Sequence, residues 1–187
     1  MRDIYENCPV IEDGNFRIRL IDKKDADDLL KVYSDKNALP FFNSDNCNGD
    51  NFYFQTKEIM ENVIKAWLNE YNQKGFVRFS VIDIAKDESI GTIELFNRKS
   101  EDYFNDCGLM RLDVRSDYEK EQKLSDILNL ITSPAFELFH CKMIATKARN
   151  YAVERISALK KQGYIKTDEK LIAGNGDHLG DYWVKNI

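Results

Sequence analysis

The chain contains no run of about 18 apolar residues, so no membrane-spanning helix is expected. Its first nine residues carry acids and no apolar segment, which does not read as a secretory signal. Histidine is nearly missing, with only His140 and His178. The four cysteines, Cys8, Cys47, Cys107 and Cys141, are scattered and form no C-x-x-C pair. No metal site is therefore expected, and reduced thiols in a cytoplasm are the default. Scarce proline (3) and modest glycine (9) exclude collagen-like or linker-type repeats. Positive charge is short as well. Lys+Arg number 27 against 32 Asp+Glu, a net charge of −5, which is not the basic footprint of a nucleic-acid binder. What is present, 187 residues at 43% hydrophobic and 32% charged, reads as one folded domain over 1–187 with no linker inside it.

Phe16, Ile18 and Leu20 alternate with Arg17 and Arg19, a short strand with one apolar face. Asp22, with Asp25 three residues on, predicts the capped start of a helix that buries Leu29, Leu30 and Tyr33. Thr56 caps the next helix. There Ile59, Met60, Val63, Ile64, Trp67, Leu68 and Tyr71 recur at helical spacing until Gln73-Lys74-Gly75. Strands follow at 77–84, 90–96 and 109–114. Leu124, Ile127, Leu128, Ile131, Ala135 and Leu138 mark another helix, and Pro134 inside it predicts a kink or an early stop. A strand at 143–146, a helix from Ala152 to Gly163, a strand from 164 to about 173, a hairpin turn at 174–177 and a strand at 182–184 complete the chain.

The order β-α-α-β-β-β-α-β-α-β-β describes an α/β protein (α+β, mixed sheet) with helices on both faces. It makes the strands at 109–114 and 143–146 near neighbours. Residues 34–56 have no periodicity but hold Phe41, Phe42, Phe52, Tyr53 and Phe54. A loop of that length is functional or contains irregular helix. Its aromatics either plug the core or line a pocket.

Four segments carry a resemblance. They are Phe16-Arg-Ile-Arg-Leu-Ile-Asp with Asp25-Ala-Asp-Asp-Leu-Leu behind it; Ser89-Ile-Gly-Thr-Ile-Glu-Leu; Pro134-Ala-Phe-Glu-Leu followed by Lys142-Met-Ile-Ala-Thr; and Asn150-Tyr-Ala-Val-Glu-Arg with Gly163-Tyr. In this order and spacing the chain resembles the GNAT superfamily of N-acetyltransferases, closest to the branch that acetylates ribosomal-protein N-termini. The resemblance implies an acyl-CoA N-acyltransferase-like fold. It implies acetyl-CoA as co-substrate and a primary amine as acceptor, from a protein N-terminus or a small molecule. It also implies that the strand at 110–114 splays from its neighbour and pairs through Leu112 and Val114 with the pantetheine arm. The turn after it would hold the pyrophosphate at a helix N-terminus, through Lys120, Gln122, Lys123 and Leu124. Asn150 and Arg155 would complete the cofactor site.

The residues of that turn depart from the family pattern. Gln122 and Leu124 fill the positions where small residues belong, and Glu119 and Glu121 put carboxylates beside a phosphate site. Ser116-x-x-Glu119 reads equally as a capping box that satisfies the helix by itself. In the last helix Val153 replaces the usual Ser, and Lys160 stands where a Tyr general acid is common. Tyr151 or Tyr164 is a candidate substitute, and each reads equally as a packing residue.

Acyl transfer to an amine needs the amine neutral. Glu94 on the strand at 90–96, or Asp113 on the strand at 109–114, is the candidate base; plain alternation would instead turn each to solvent. Phe42, Asn43 and Asp45 are the acceptor-site candidates. Two functions follow: an N-acetyltransferase, monomer or homodimer, or a degenerate relative that acts as a non-catalytic binding module through the aromatic loop 41–54. The first expects an open cleft between the strands at 109–114 and 143–146, with free amides at 120–125. The second expects that cleft closed or filled by side chains.

Overall fold

A computed structural model describes residues 3–47 and 49–187; Asn48, inside the aromatic loop, and Met1 and Arg2 at the start lie outside the described residues. The strands are β1 (Ile11–Glu12), β2 (Phe16–Leu20), β3 (Val77–Asp83), β4 (Glu88–Arg98), β5 (Cys107–Val114), β6 (Met143–Lys147), β7 (Ile165–Lys166), β8 (Leu171–Ile172), β9 (His178–Leu179) and β10 (Tyr182–Asn186). The helices are α1 (Ala26–Tyr33), α2 (Lys57–Asn72), α3 (Glu121–Leu138) and α4 (Val153–Lys161). One sheet runs β1-β2-β3-β4-β5-β6-β10-β7, and β8 pairs with β9 separately. Every pair in the large sheet is antiparallel except β5 with β6. That parallel pair is joined through α3, so it confirms the crossover expected from the sequence.

The period-2 alternation of the strands builds two large cores and a smaller one around Phe104, Leu109, Met143 and Tyr182. Val77, Phe79, Val81, Ile93, Leu95, Met110, Leu112 and Val114 face Leu124, Ile127, Leu128 and Ile131 of α3 and Ala158 and Leu159 of α4. On the opposite face α1 and α2 pack Leu29, Val32, Tyr33, Met60, Ile64 and Trp67 together with Phe42. The capping residues act as expected. Asp22 and Asp25 form a reciprocal capping box on a short 3₁₀ turn before α1, and Thr56 accepts from the Ile59 amide at the start of α2.

Two expectations are corrected. α3 runs unbroken through Pro134, because the buried Ile131 and Ala135 on either side lock the helix to the core. The strand expected at 164–173 is two short strands in different sheets. The run Thr167-Asp-Glu-Lys has no apolar alternation to hold it against the sheet. The turn at 174–177 therefore joins β8 to β9, and the last strand, β10, inserts between β6 and β7. Gly91 is required where it stands. A Cβ there would lie 2.3 Å from the Asp113 carbonyl oxygen, at the point where the β3–β4 register shifts.

Candidate active site

Strand pairing places polar residues in rows across the centre of the sheet. Glu94 is the register partner of Arg78 on β3 and of Arg111 on β5. Thr92 is the partner of Ser80 and Asp113 in the next row. All point to the α1/α2 face, opposite the apolar residues of the same strands. Neither Glu94 nor Asp113 turns to solvent; both are buried. Glu94 gives one oxygen to Arg78 Nη2 at 2.5 Å and the other to Arg111 Nη1 at 2.8 Å. Both of its oxygens are therefore taken up by guanidiniums, and neither faces open space.

Asp113 is placed differently. It is fully buried, its Oδ2 lies 3.3 Å from the Tyr33 hydroxyl and 3.6 Å from Arg78 Nη1, and its Oδ1 has no partner. Burial pushes its carboxyl above the ordinary carboxylate range, against the pull of Arg78, Arg155 and Arg111. Tyr33 donates to or accepts from Thr92 Oγ1 at 2.6 Å and packs among Phe42, Phe54 and Trp67. Trp67 in turn covers the Arg78 guanidinium at 4.1 Å.

Arg78, Arg111, Tyr33 and Thr92 are the site residues that sequence reasoning missed. The signal was there for Arg78: it sits between Val77 and Phe79 in a clean alternation, so it must face away from their core.

The acceptor candidates have the following surroundings. Phe42 is a core residue against Tyr33, 5.3 Å between ring centroids. Asp45 is no free carboxylate, since Lys147 Nζ lies 2.7 Å from it and the Tyr182 hydroxyl donates at 3.0 Å. Asn43 is buried and accepts from the Asp45 amide at 3.0 Å, while its Nδ2 has no partner.

β5 and β6 pair only over 108–110 against 144–146, so residues 111–114 splay away from β6 beside α3. Leu112 directs its carbonyl into this splay, where Arg155 Nη1 donates to it at 2.6 Å. The amide of the same residue faces the same side. Arg155 reaches there from α4 and also binds both oxygens of buried Glu119 at 2.7 Å. The void left beside Arg155, Asn43 and Tyr151 is about 10 Å³, room for one water at most.

The Ser116–Glu119 capping box is also corrected. A 3₁₀ turn covers Ser116–Tyr118, Lys120 is the N-cap of α3 and makes no side-chain cap, and Glu119 is spent on Arg155. The Glu121 amide at the helix start donates instead to the Glu154 carboxylate at 2.8 Å.

The other cofactor candidates point elsewhere. Lys120 is exposed. Gln122 bonds Asp126 and Lys161. Lys123 lies 3.9 Å over the Tyr118 ring, and Leu124 is core. Asn150 is exposed and accepts from Lys166. Tyr151 is exposed, and its hydroxyl donates to the Pro40 carbonyl at 2.6 Å. Val114 remains on the splayed strand, buried on the α3 side. In this arrangement the residues do not fit coenzyme A: the carboxylates of Glu119, Glu121 and Glu154 crowd the helix N-terminus, and side chains fill the splay.

The fold these elements define is that of GNAT-family acetyltransferases. No family model matches the chain, and no curated protein sequence matches it, but solved structures do. An acetyltransferase of the GNAT family from Bacillus anthracis superposes with a TM-score of 0.69 at 16% identity, over 95% of this chain and 98% of its own. A ribosomal-protein-S5-alanine acetyltransferase from Vibrio fischeri gives 0.67 at 17%, over 95% and 96%. RimJ of Mycobacterium smegmatis, solved in complex with CoA-disulfide, gives 0.68 at 13%, over 91% and 81%. At these identities the likeness carries the fold alone. Among the described residues no helix is long and apolar enough to cross a membrane, and no cluster of metal-ligating side chains occurs.

Proposed function

We propose that the protein is an N-acetyltransferase that moves an acetyl group from acetyl-CoA to a primary amine of a protein N-terminus or a small molecule. The observation that carries this reading is the splay of β5 from β6 beyond residue 110, next to the start of α3. It leaves the Leu112 backbone directed into a gap between two parallel strands, with the Asp113 side chain on the opposite face. The likeness to GNAT acetyltransferases supports it. Coenzyme A would bring the activated acyl group; the residues here act on the amine.

Asp113 is the group available to take the amine's proton. Its carboxyl is pushed up by burial, one of its oxygens is free, and Glu94 is locked between two arginines. Tyr33 and Arg78 position it. The backbone amides of Leu112 and Val114 are the donors of the splayed strand.

The filled splay is what a non-catalytic relative was expected to show. That alternative also needs the aromatic loop displayed as a surface. Phe42, Phe52 and Phe54 instead pack against Tyr33 and Trp67. The backbone splay is intact, and only side chains close it.

Calorimetry with acetyl-CoA, paired with acetylation of a panel of peptide and small-molecule amines, tests the proposal. Binding and product formation are expected. Absence of binding at millimolar acetyl-CoA overturns it.

A further inference from the structure

An amine cannot reach the free Asp113 oxygen in this arrangement, because the whole residue is buried. Some element over the α1/α2 face has to move. Tyr33 of α1 and Trp67 of α2 belong to a hydrophobic core, and so does Phe42. Phe52 and Phe54 pack against the same core. The segment between these aromatics is different. Asn43-Ser-Asp-Asn-Cys47 puts no side chain into any of the three cores. It lies near the polar rows all the same. Arg111 Nη2 donates to the Asp45 carbonyl at 2.7 Å. Burial pushes the Cys47 thiol above its ordinary range, and the charges of Arg111, Glu94, Arg78 and Asp113 all act on it.

Among the described residues, the hydrogen bonds that tie this segment to the sheet and to the β8–β9 turn all end on Asp45 or Asn46. Lys147 Nζ holds both Asp45 oxygens, at 2.8 and 2.7 Å, and the Tyr182 hydroxyl adds a bond at 3.0 Å. The Gly174 amide donates to Asn46 Oδ1 at 3.2 Å. Asn43 Nδ2 and Arg111 Nε, at this contact, are buried without a partner. A stretch held by polar bonds alone, with unsatisfied groups at its contact, is the part of its surroundings that opens first.

We propose that residues 43–47 are a strap over the amine's path to Asp113, and that Asp45, seated on Lys147 and Tyr182, is its latch. Release of Asp45 also frees the Arg111 guanidinium, which the carbonyl of the same residue holds. Phe42 stays in the core as the strap moves. The inference rests on the reading of Asp113 as the group that meets the amine, and adds how the amine gains entry.

Cys47 reports on the strap directly. Wild type, Asp45→Asn and Lys147→Gln are treated with iodoacetamide under native conditions, and the alkylated cysteines are mapped by mass spectrometry. Alkylation of Cys47 should be about tenfold faster in both variants, the effect of losing a hydrogen bond to a charged group. Cys107 and Cys141 are buried and should stay unmodified. An unchanged Cys47 rate overturns the strap. So does a rise at Cys107 and Cys141 as large as that at Cys47, which reads as loosening of the whole fold. The amine panel is then offered to the same three proteins with acetyl-CoA. KM for an accepted amine should fall in the variants, because more of the protein is open to it. Faster Cys47 alkylation with an unchanged or higher KM overturns the strap as the amine's gate and leaves the acetyltransferase reading standing. Absence of acetylation by all three proteins overturns that reading and the gate with it, and the Cys47 rates then show separately whether the segment opens.

Discussion

Arg78 and Glu94 face each other across the β3–β4 pair and join at 2.5 Å, both buried. Such a pair is costly to break from one side, because the remaining charge stays buried without a partner. Among the described residues, Glu94 is also the only carboxylate within bonding range of Arg111. Glu94→Gln should therefore destabilise the protein by about 3–5 kcal/mol. Urea denaturation, read as a lower midpoint with unchanged slope, checks it; a loss under 1 kcal/mol would show that the row is not holding the sheet.

The raised Asp113 carboxyl gives stability a pH dependence of its own. The folded protein keeps this proton at pH values where the unfolded chain has released it. Its contribution is fully present below the ordinary carboxylate value of 3.8 and is lost as the pH rises through the folded value. Asp113→Asn removes that loss. The stability of Asp113→Asn relative to wild type should rise steadily as the pH is taken from 4 upward. Urea midpoints of both proteins across that range measure the difference, and a difference flat with pH would mean an ordinary carboxyl.

Pro134 sits in a continuous helix and denies it one backbone hydrogen bond. Pro134→Ala should stabilise the fold, by up to about 3 kcal/mol if the site accepts the new amide without strain. Thermal unfolding is the readout, with a higher midpoint expected.

The Tyr151 hydroxyl ties the 3₁₀ turn Leu39–Phe41 to the entrance of α4 through Pro40. Tyr151→Phe removes that exposed bond and keeps the ring contact with Phe41, 6.0 Å between centroids. The cost should be about 1 kcal/mol or less. Hydrogen exchange should speed up at residues 39–43 and nowhere in the sheet.

Local sequence signals carried most of the fold. Asp22, Thr56 and the apolar stripes of α1 to α4 depend on neighbours three or four residues away, and those elements formed where the pattern put them. The break between β7 and β8 depends on which strand fills the place beside β6, a contact between distant parts of the chain. The site was legible in its address and not in its wiring. Asp113 and Glu94 could be named from their strands. That Glu94 lies between two arginines required the register of three strands, and that Arg155 bonds Leu112 required the approach of α4. Acids at 119 and 121 looked like one obstacle at a phosphate site. They have separate tasks: Glu119 neutralises a buried guanidinium, and Glu121 meets Ser157 at the α3–α4 contact.

β10 has a consequence for synthesis. β6 carries β5 on one edge and β10 on the other, and among the described residues β7 has no strand partner but β10. A growing chain that has not yet released residues 182–186 leaves β6 with an open edge and β7 with nothing to join. That edge is a template for pairing with a neighbouring chain. Between the appearance of β6 and the docking of residues 182–186, that edge is most exposed to misassembly, and β10 is the strand that closes it.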